Sequence, residues 1–194
     1  MNHDGTMRLP DTTPSLHAAR ATLRAFIETD IAGRAACGND AEIHRMFGGS
    51  SSTLPASTMT REEAAAWYAG VTSDGNPLHW AIEYGGRFIG TARLHSVNEI
   101  DRRARYAIGI LDRNVLGIGL GTEVTQQVLD YGFRTVGLHR IDLRVLAYND
   151  RAIRCYHRAG FIEEGRERDA ALVDGRWYDD VIMSLLSHDW QGPH

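Results

Sequence analysis

The sequence predicts a mixed α/β domain built on a single, mostly antiparallel sheet of about six or seven strands with helices on both faces. Three observations carry that prediction. The middle third runs through short apolar stretches separated by tight turns. A strand, a glycine-rich loop, an amphipathic helix and a second strand succeed one another over residues 106–146. The last part reads as strands turning at Asp174-Gly175.

Element by element, residues 1–19 contain Pro10, Pro14 and several Thr and Ser without a period, so a flexible tail is expected, ahead of one domain over residues 20–188. Residues 21–26 read as a short strand, and Asp30 is expected to cap a helix reaching about Gly38. A short helix over residues 41–47 stops at Gly48-Gly49, and residues 50–57 form a polar loop. Thr60-Arg61-Glu62-Glu63 has the spacing of a capping box, opening a helix that carries Ala64, Ala65, Trp67 and Tyr68. Residues 78–84 and 87–94, joined by Gly85-Gly86, predict a hairpin, and residues 106–111 a further strand. Leu120, Val124, Val128, Leu129, Phe133 and Val136 recur at helical spacing, which turns one apolar stripe toward a sheet. Residues 140–145 alternate, with Ile141, Leu143 and Val145 on one face. Asp150 is expected to cap a short helix ended by Gly160, residues 161–186 supply the terminal strands, and residues 189–194 a second tail.

Composition narrows the function. A chain of 194 residues with 43% hydrophobic and 24% charged residues suits one globular core. The net charge of -4 argues against a phosphate-backbone partner, so no nucleic acid is expected. No apolar run approaches the roughly 20 residues of a membrane span, and the start lacks a leader pattern, so a cytoplasmic protein is expected. Cys37 and Cys155 read as free thiols. All 21 basic residues are arginine, which removes lysine-based Schiff-base and Walker-type chemistry and leaves anions to guanidinium groups or backbone amides. The histidines show no metal-ligand spacing, and no metal is expected.

The run Asn114-Val115-Leu116-Gly117-Ile118-Gly119-Leu120-Gly121-Thr122 lies just where the helix begins. Glycines at alternate positions permit positive φ and let amides approach a ligand without Cβ interference. The following helix start leaves its first amides unpaired and favours an anion, so the run reads as a pyrophosphate cradle. A tight turn with no ligand is the alternative. A dinucleotide fingerprint fails on spacing, because the third glycine comes one position early.

Downstream come Asn149, a short helix with Cys155 and Tyr156, and Gly160-Phe161-Ile162-Glu163-Glu164-Gly165. With the loop, with Leu138-His139-Arg140-Ile141 and with Gly175-Arg176-Trp177-Tyr178-Asp179, this series resembles the GNAT superfamily of acetyl-CoA-dependent N-acetyltransferases. The likeness is to the branch holding ribosomal-protein N-terminal and spermidine acetyltransferases. It implies a central pair of parallel strands that splay apart, residues 106–111 and 140–146. It implies that the amides of Gly117, Ile118, Gly119, Leu120, Gly121 and Thr122 hold the coenzyme diphosphate, with Leu111, Asn114 and Arg154 nearby. The family loop often begins with Gln or Arg where this chain has Asn114. Asn149 would bond the pantetheine arm; capping of the next helix is its alternative role.

Acyl transfer to an amine needs a neutral nucleophile, a polarised carbonyl and a proton for the leaving sulfur. An alkyl ammonium with pKa near 10.4 is less than about one part in a thousand neutral at pH 7. A strand amide within residues 107–111 would polarise the carbonyl. The resemblance makes Tyr156 the acid beside the sulfur. Where spermidine-type members carry a strand glutamate this chain has Tyr106, a poor base, so Glu99 is the substitute base considered. Cys155 is expected to point to another helix face, and no acyl-enzyme is expected.

Glu99, Asp101, Trp177, Asp179 and Asp180 are the candidate acceptor residues, together with residues 27–57. Their acidity suggests a small cationic amine such as a polyamine or an aminoglycoside. Residues 151–161 also look like the matching stretch of some aminoglycoside acetyltransferases. The α-amine of a ribosomal protein is a second reading, and a non-catalytic acyl-CoA sensor a third. Family members are commonly dimers, so a homodimer is an open expectation.

Overall fold

The computed structural model describes residues 7–53 and 56–193. In chain order the strands are β1 (Leu16–His17), β2 (Ala21–Arg24), β3 (His79–Tyr84), β4 (Arg87–Asn98), β5 (Arg103–Ile110), β6 (Arg140–Leu146), β7 (Ile162–Val173) and β8 (Arg176–Leu186). The helices are α1 (Asp30–Cys37), α2 (Ala41–Met46), α3 (Arg61–Thr72), α4 (Leu120–Asp130) and α5 (Asp150–Arg158). They surround one sheet of eight strands in the order β1-β2-β3-β4-β5-β6-β8-β7. The extra strand relative to expectation is β1, whose two residues pair with Leu23 and Thr22 and are too short to show a period.

Local chemistry explains most boundaries. Gly85 and Gly86 take φ of 56° and 73°, the two positive values that a twisted two-residue hairpin turn between β3 and β4 requires. Thr60 and Glu63 form the reciprocal capping box of α3. Two caps differ from expectation. Thr29 precedes α1, and Asp30 is its first residue, its carboxylate accepting from the Ile27 N–H at 2.9 Å and holding Arg24. At α5 the cap is Asn149, which accepts from the Ala152 N–H at 3.1 Å, so Asp150 is the first helical residue and favours the helix dipole. The apolar stripe of α4 continues into a π-helical turn, Tyr131–Val136.

Helices cover both faces. Phe88 meets Trp67 of α3 edge-on, while its strand neighbour Ile89 joins the fully buried cluster that includes Val124 and Val128 of α4. The described part of the amino-terminal segment is held rather than loose: Arg8 donates from its N–H to Val136 O, and Trp80 Nε1 donates to Pro14 O at 2.8 Å. Trp190, in the expected carboxy-terminal tail, donates to Asp130. Among the described residues no helix is long and apolar enough to cross a membrane.

Candidate active site

β5 and β6 run parallel, and their register covers only Arg103–Arg140, Ala104–Ile141 and Arg105–Asp142. Beyond that point β5 keeps its bonds to β4 while β6 stays with β8, so the pair parts. Backbone direction alternates along a strand. The Arg102 carbonyl accepts from His139 on the β6 side, and the Leu111 N–H donates to Ile89 on the β4 side. The polar backbone edges of Ile108 and Ile110 therefore face the gap.

A cavity of about 620 Å³ fills this gap. The glycine loop and α4 form one end. Gly117 and Gly119 have φ of 79° and 95°, and Gly119 stands at the N-cap of α4 without a side chain to cap it. Thr122 and Glu123 donate to Gly119 O. The N–H groups of Gly117, Ile118, Gly119, Leu120 and Gly121 have no acceptor among the described residues. An array of unpaired donors at the positive end of a helix is suited to an anion. α5 adds Arg154 and Arg158, one turn apart, which have no acidic partner among the described residues and line the cavity.

Tyr156, only 7% exposed, packs edge-on against Phe161 and lines the cavity. Burial raises its phenol well above the ordinary value, so it stays protonated at neutral pH. Its hydroxyl has no partner among the described residues. Tyr106 is different. Its hydroxyl meets Thr125 at 3.0 Å, and Thr125 donates to Gly121 O at 2.6 Å, which ties β5 to the first turn of α4. Fully buried and raised in pKa, Tyr106 is a structural group and not a base.

Ile43 and Met46 of α2 and Phe47 just after it roof the cavity. Asp40 caps α2 and binds Arg113 at 2.5 Å, Glu42 binds Arg151 at 2.8 Å, and Tyr148 O–H donates to Arg45 O at 2.6 Å. Asn149 Nδ2 donates to Met46 O at 3.3 Å. On the β8 wall lies Asp180. Desolvation raises its carboxyl pKa, with Arg144 opposing and Glu167 adding to the shift. Arg144 itself engages Glu167 at 2.5 Å, and Asp180 has no ion-pair partner among the described residues.

Residues 20–162 match the family described as acetyltransferase (GNAT) domain. The chain belongs to the GNAT acetyltransferase family. It is 28% identical over 121 residues to spermidine N(1)-acetyltransferase of Escherichia coli (strain K12), covering 62% of this chain and 64% of that protein. It is 32% identical over 102 residues to the ribosomal protein uS5-alanine N-acetyltransferase of the same organism, covering 53% of each. These matches span less than two thirds of the length of those relatives. The spermidine N-acetyltransferase of Vibrio cholerae, solved in complex with CoA and spermine, shares the fold with a TM-score of 0.70 and 25% identity, covering 88% of this chain and 98% of that one.

Within this GNAT fold the expected site residues separate into two groups. Gly117, Gly119, Gly121, Thr122, Asn149, Arg154, Tyr156 and Asp180 line one cavity. Leu111, Asn114, Ile118 and Leu120 do not line it. Asn114 turns its amide to Asp112 at 3.0 Å, and Leu120 is buried beneath the loop. Glu99 and Asp101 sit in the turn before β5, at the closed end of the parallel pair, where Asp101 bonds Asn98 and Arg103. Tyr106, the first residue of β5 to line the cavity, is three strand residues beyond Arg103, roughly 10 Å, so Glu99 is a correction: it does not line the cavity in which it was expected to act as base. Trp177 and Asp179 alternate with Asp180 along β8, and Asp179 accepts from the Asp169 N–H at 3.0 Å. Cys155 was expected on a different helix face from Tyr156. Its thiol faces α4, accepting from Thr122 Oγ1 at 3.4 Å, and it lines the cavity beside Tyr156. Arg144 and Arg158, which also line the cavity, were not among the expected site residues; Arg144 shows only as a polar position in the alternation of β6, and Arg158 stands in the stretch 151–161 without being singled out.

Proposed function

We propose that this protein moves an acetyl group from acetyl-CoA to a primary amine by direct attack, and that the amine arrives singly, as at a peptide α-amine. One observation carries the reading: the cavity joins the unpaired amides of Gly117, Gly119 and Gly121, an unpartnered tyrosine hydroxyl and one unpaired carboxylate.

The residues suit coenzyme A. Its diphosphate needs donors free of competing acceptors, which the amides from Gly117 to Gly121 provide. Arg154 and Arg158 supply cations for a further phosphate. The open edges of Ile108 and Ile110 offer the pantetheine amides the bonds that an added strand would make. When bound, the thioester supplies an electrophilic carbonyl and a sulfur leaving group.

This chain's own groups then divide the work. Asp180 holds the ammonium and takes its proton, aided by desolvation, which weakens the ammonium's hold on that proton. The nitrogen lone pair forms the C–N bond while the C–S bond breaks, and the second proton of the newly cationic nitrogen passes to the departing thiolate, leaving the neutral amide and the thiol of CoA. An N–H on the open edge of β5 donates to the carbonyl oxygen as charge builds there. The raised pKa of Tyr156 makes full proton transfer to a thiolate of pKa near 8.5 uphill, so Tyr156 acts by donating a hydrogen bond to the departing sulfur.

Charge supports a singly presented amine. Of the four acidic candidates only Asp180 lines the cavity, and its other charged lining residues are arginines. With Arg144 and Arg151 already engaging Glu167 and Glu42, Asp180 is the one unpaired lining carboxylate, so a polycation would find a partner for a single ammonium. Phe47, 61% exposed at the roof, gives an apolar flank to a side chain following the amine. Thiol release across short peptides, spermidine and aminoglycosides tests this. Peptide turnover at kcat/KM about tenfold or more above the polyamine is expected. Preference for spermidine or an aminoglycoside would overturn it, and coenzyme binding without turnover of any amine would replace it with an acyl-CoA sensor.

A further inference from the structure

We infer that Arg20 is a positioning residue for the diphosphate cradle, acting on the glycine loop from outside the cavity and never touching the ligand. This rests on the coenzyme reading above. Arg20 lies between β1 and β2, distant in sequence from the loop. Its Nη2 donates to Ile118 O at 2.8 Å, and its Nε donates to Glu123 Oε1 at 2.7 Å. Nη2 also bonds Glu123 Oε1, and the Arg20 backbone N–H donates to Glu123 Oε2 at 3.2 Å. Glu123 thus fixes Arg20 through backbone and side chain together, and Arg20 fixes one carbonyl of the loop.

The consequence follows from peptide geometry. In a trans peptide the C=O of Ile118 and the N–H of Gly119 point in opposite directions. Gly117 and Gly119 line the cavity and Arg20 does not, so a carbonyl held outward by Arg20 aims the Gly119 N–H inward. Gly119 at one end of this peptide and Gly117 one residue before Ile118 both take positive φ, and their freedom would let the segment turn. The guanidinium supplies the orientation that the glycines lack. A Cβ at Gly119 would lie 3.2 Å from Arg20 Nη2, so the same position needs glycine for its φ and for the clamp. Arg20 also neutralises Glu123, a carboxylate in the first turn of α4 that would otherwise oppose an anion at that terminus.

Calorimetric titration with two probes, CoA and pantetheine, tests the assignment, because pantetheine lacks the diphosphate. Arg20→Met should weaken CoA binding about tenfold or more, the loss of one charge-assisted bond. It should leave pantetheine affinity within about twofold. Arg20→Lys, which keeps the charge but cannot fork to Ile118 and Glu123 together, should recover only part of the CoA affinity and gives the reading if Arg20→Met does not fold. Equal weakening of both probes, or unchanged CoA affinity in a folded variant, would overturn the clamp. A wild-type protein that binds CoA no more tightly than pantetheine would instead overturn the cradle itself.

Discussion

β5 and β6 are joined at one end and parted at the other, and the two ends carry different chemistry. At the joined end, three registered pairs are reinforced by Arg105–Asp142 at 3.1 Å and Arg140–Glu164 at 2.5 Å, with the Ser184 hydroxyl also donating to Glu164. Arg105, Asp142, Arg140 and Glu164 there are each answered by an opposite charge. At the parted end, the amides of the glycine loop, the Tyr156 hydroxyl and Asp180 are unanswered. The difference teaches that function in this fold is located by unsatisfied groups and not by the density of charge. Glu99 and Asp101 lie at the joined end, where Asp101 is held by Asn98 and Arg103, and the single acid that lines the cavity belongs to the other.

Substitutions at the parted end should therefore cost turnover, and those at the joined end should cost stability alone. Tyr156→Phe should lower kcat about a hundredfold while acetyl-CoA KM stays within about threefold, measured by thiol release. Asp180→Asn should lower kcat/KM by about ten- to a hundredfold. The raised pKa of Asp180 also places the acidic limb of the wild-type kcat/KM profile above the usual carboxylate value near 3.9, because the working form is deprotonated. That limb should vanish in Asp180→Asn; a profile unchanged by the substitution would remove the residue from proton transfer.

At the joined end the sign is different. Glu164 is held down to about 2, first by its bond to Arg140 and then by Ser184. A carboxyl depressed by folding stabilises the native state above its ordinary pKa near 4.5, and that contribution is lost as pH falls toward 2. Glu164 is well exposed, so Glu164→Gln should cost about 1 kcal/mol or less at pH 7, seen by denaturant melts, and progressively less as the pH falls through 2. The smallest effect belongs to Glu99→Gln, which should leave kcat/KM unchanged; a clear loss would return the acceptor to the closed end.

The sequence made the regular parts of this molecule legible because burial leaves a period. The stripe of α4, the alternation of β6 and the capping box of α3 all stand where residue spacing puts them. Groups defined by pairing were not legible. Asp179 and Asp180 are adjacent and chemically equal, and only the register of β8 against β6, which sets Asp180 opposite Leu146, tells which faces the cavity. Glu99 and Tyr106 are close in sequence, but Glu99 sits in the turn before β5 while Tyr106, along the strand, lines the cavity. Arg20 carries no signal at all, since its partners Ile118 and Glu123 are about a hundred residues away and the contact exists only after the sheet has closed.

The central claim is that unpaired amides at the mouth of α4 grasp the diphosphate of coenzyme A. Titration of CoA into wild-type protein and into Gly119→Val, each checked for folding by circular dichroism, tests it most directly. A β-branched residue is strained at a φ of 95° and would thrust a side chain at Arg20, so the loop must rearrange. The account predicts tight binding to the wild type and a loss of about a hundredfold or more in the folded variant. Equal CoA affinity in the two proteins would contradict it.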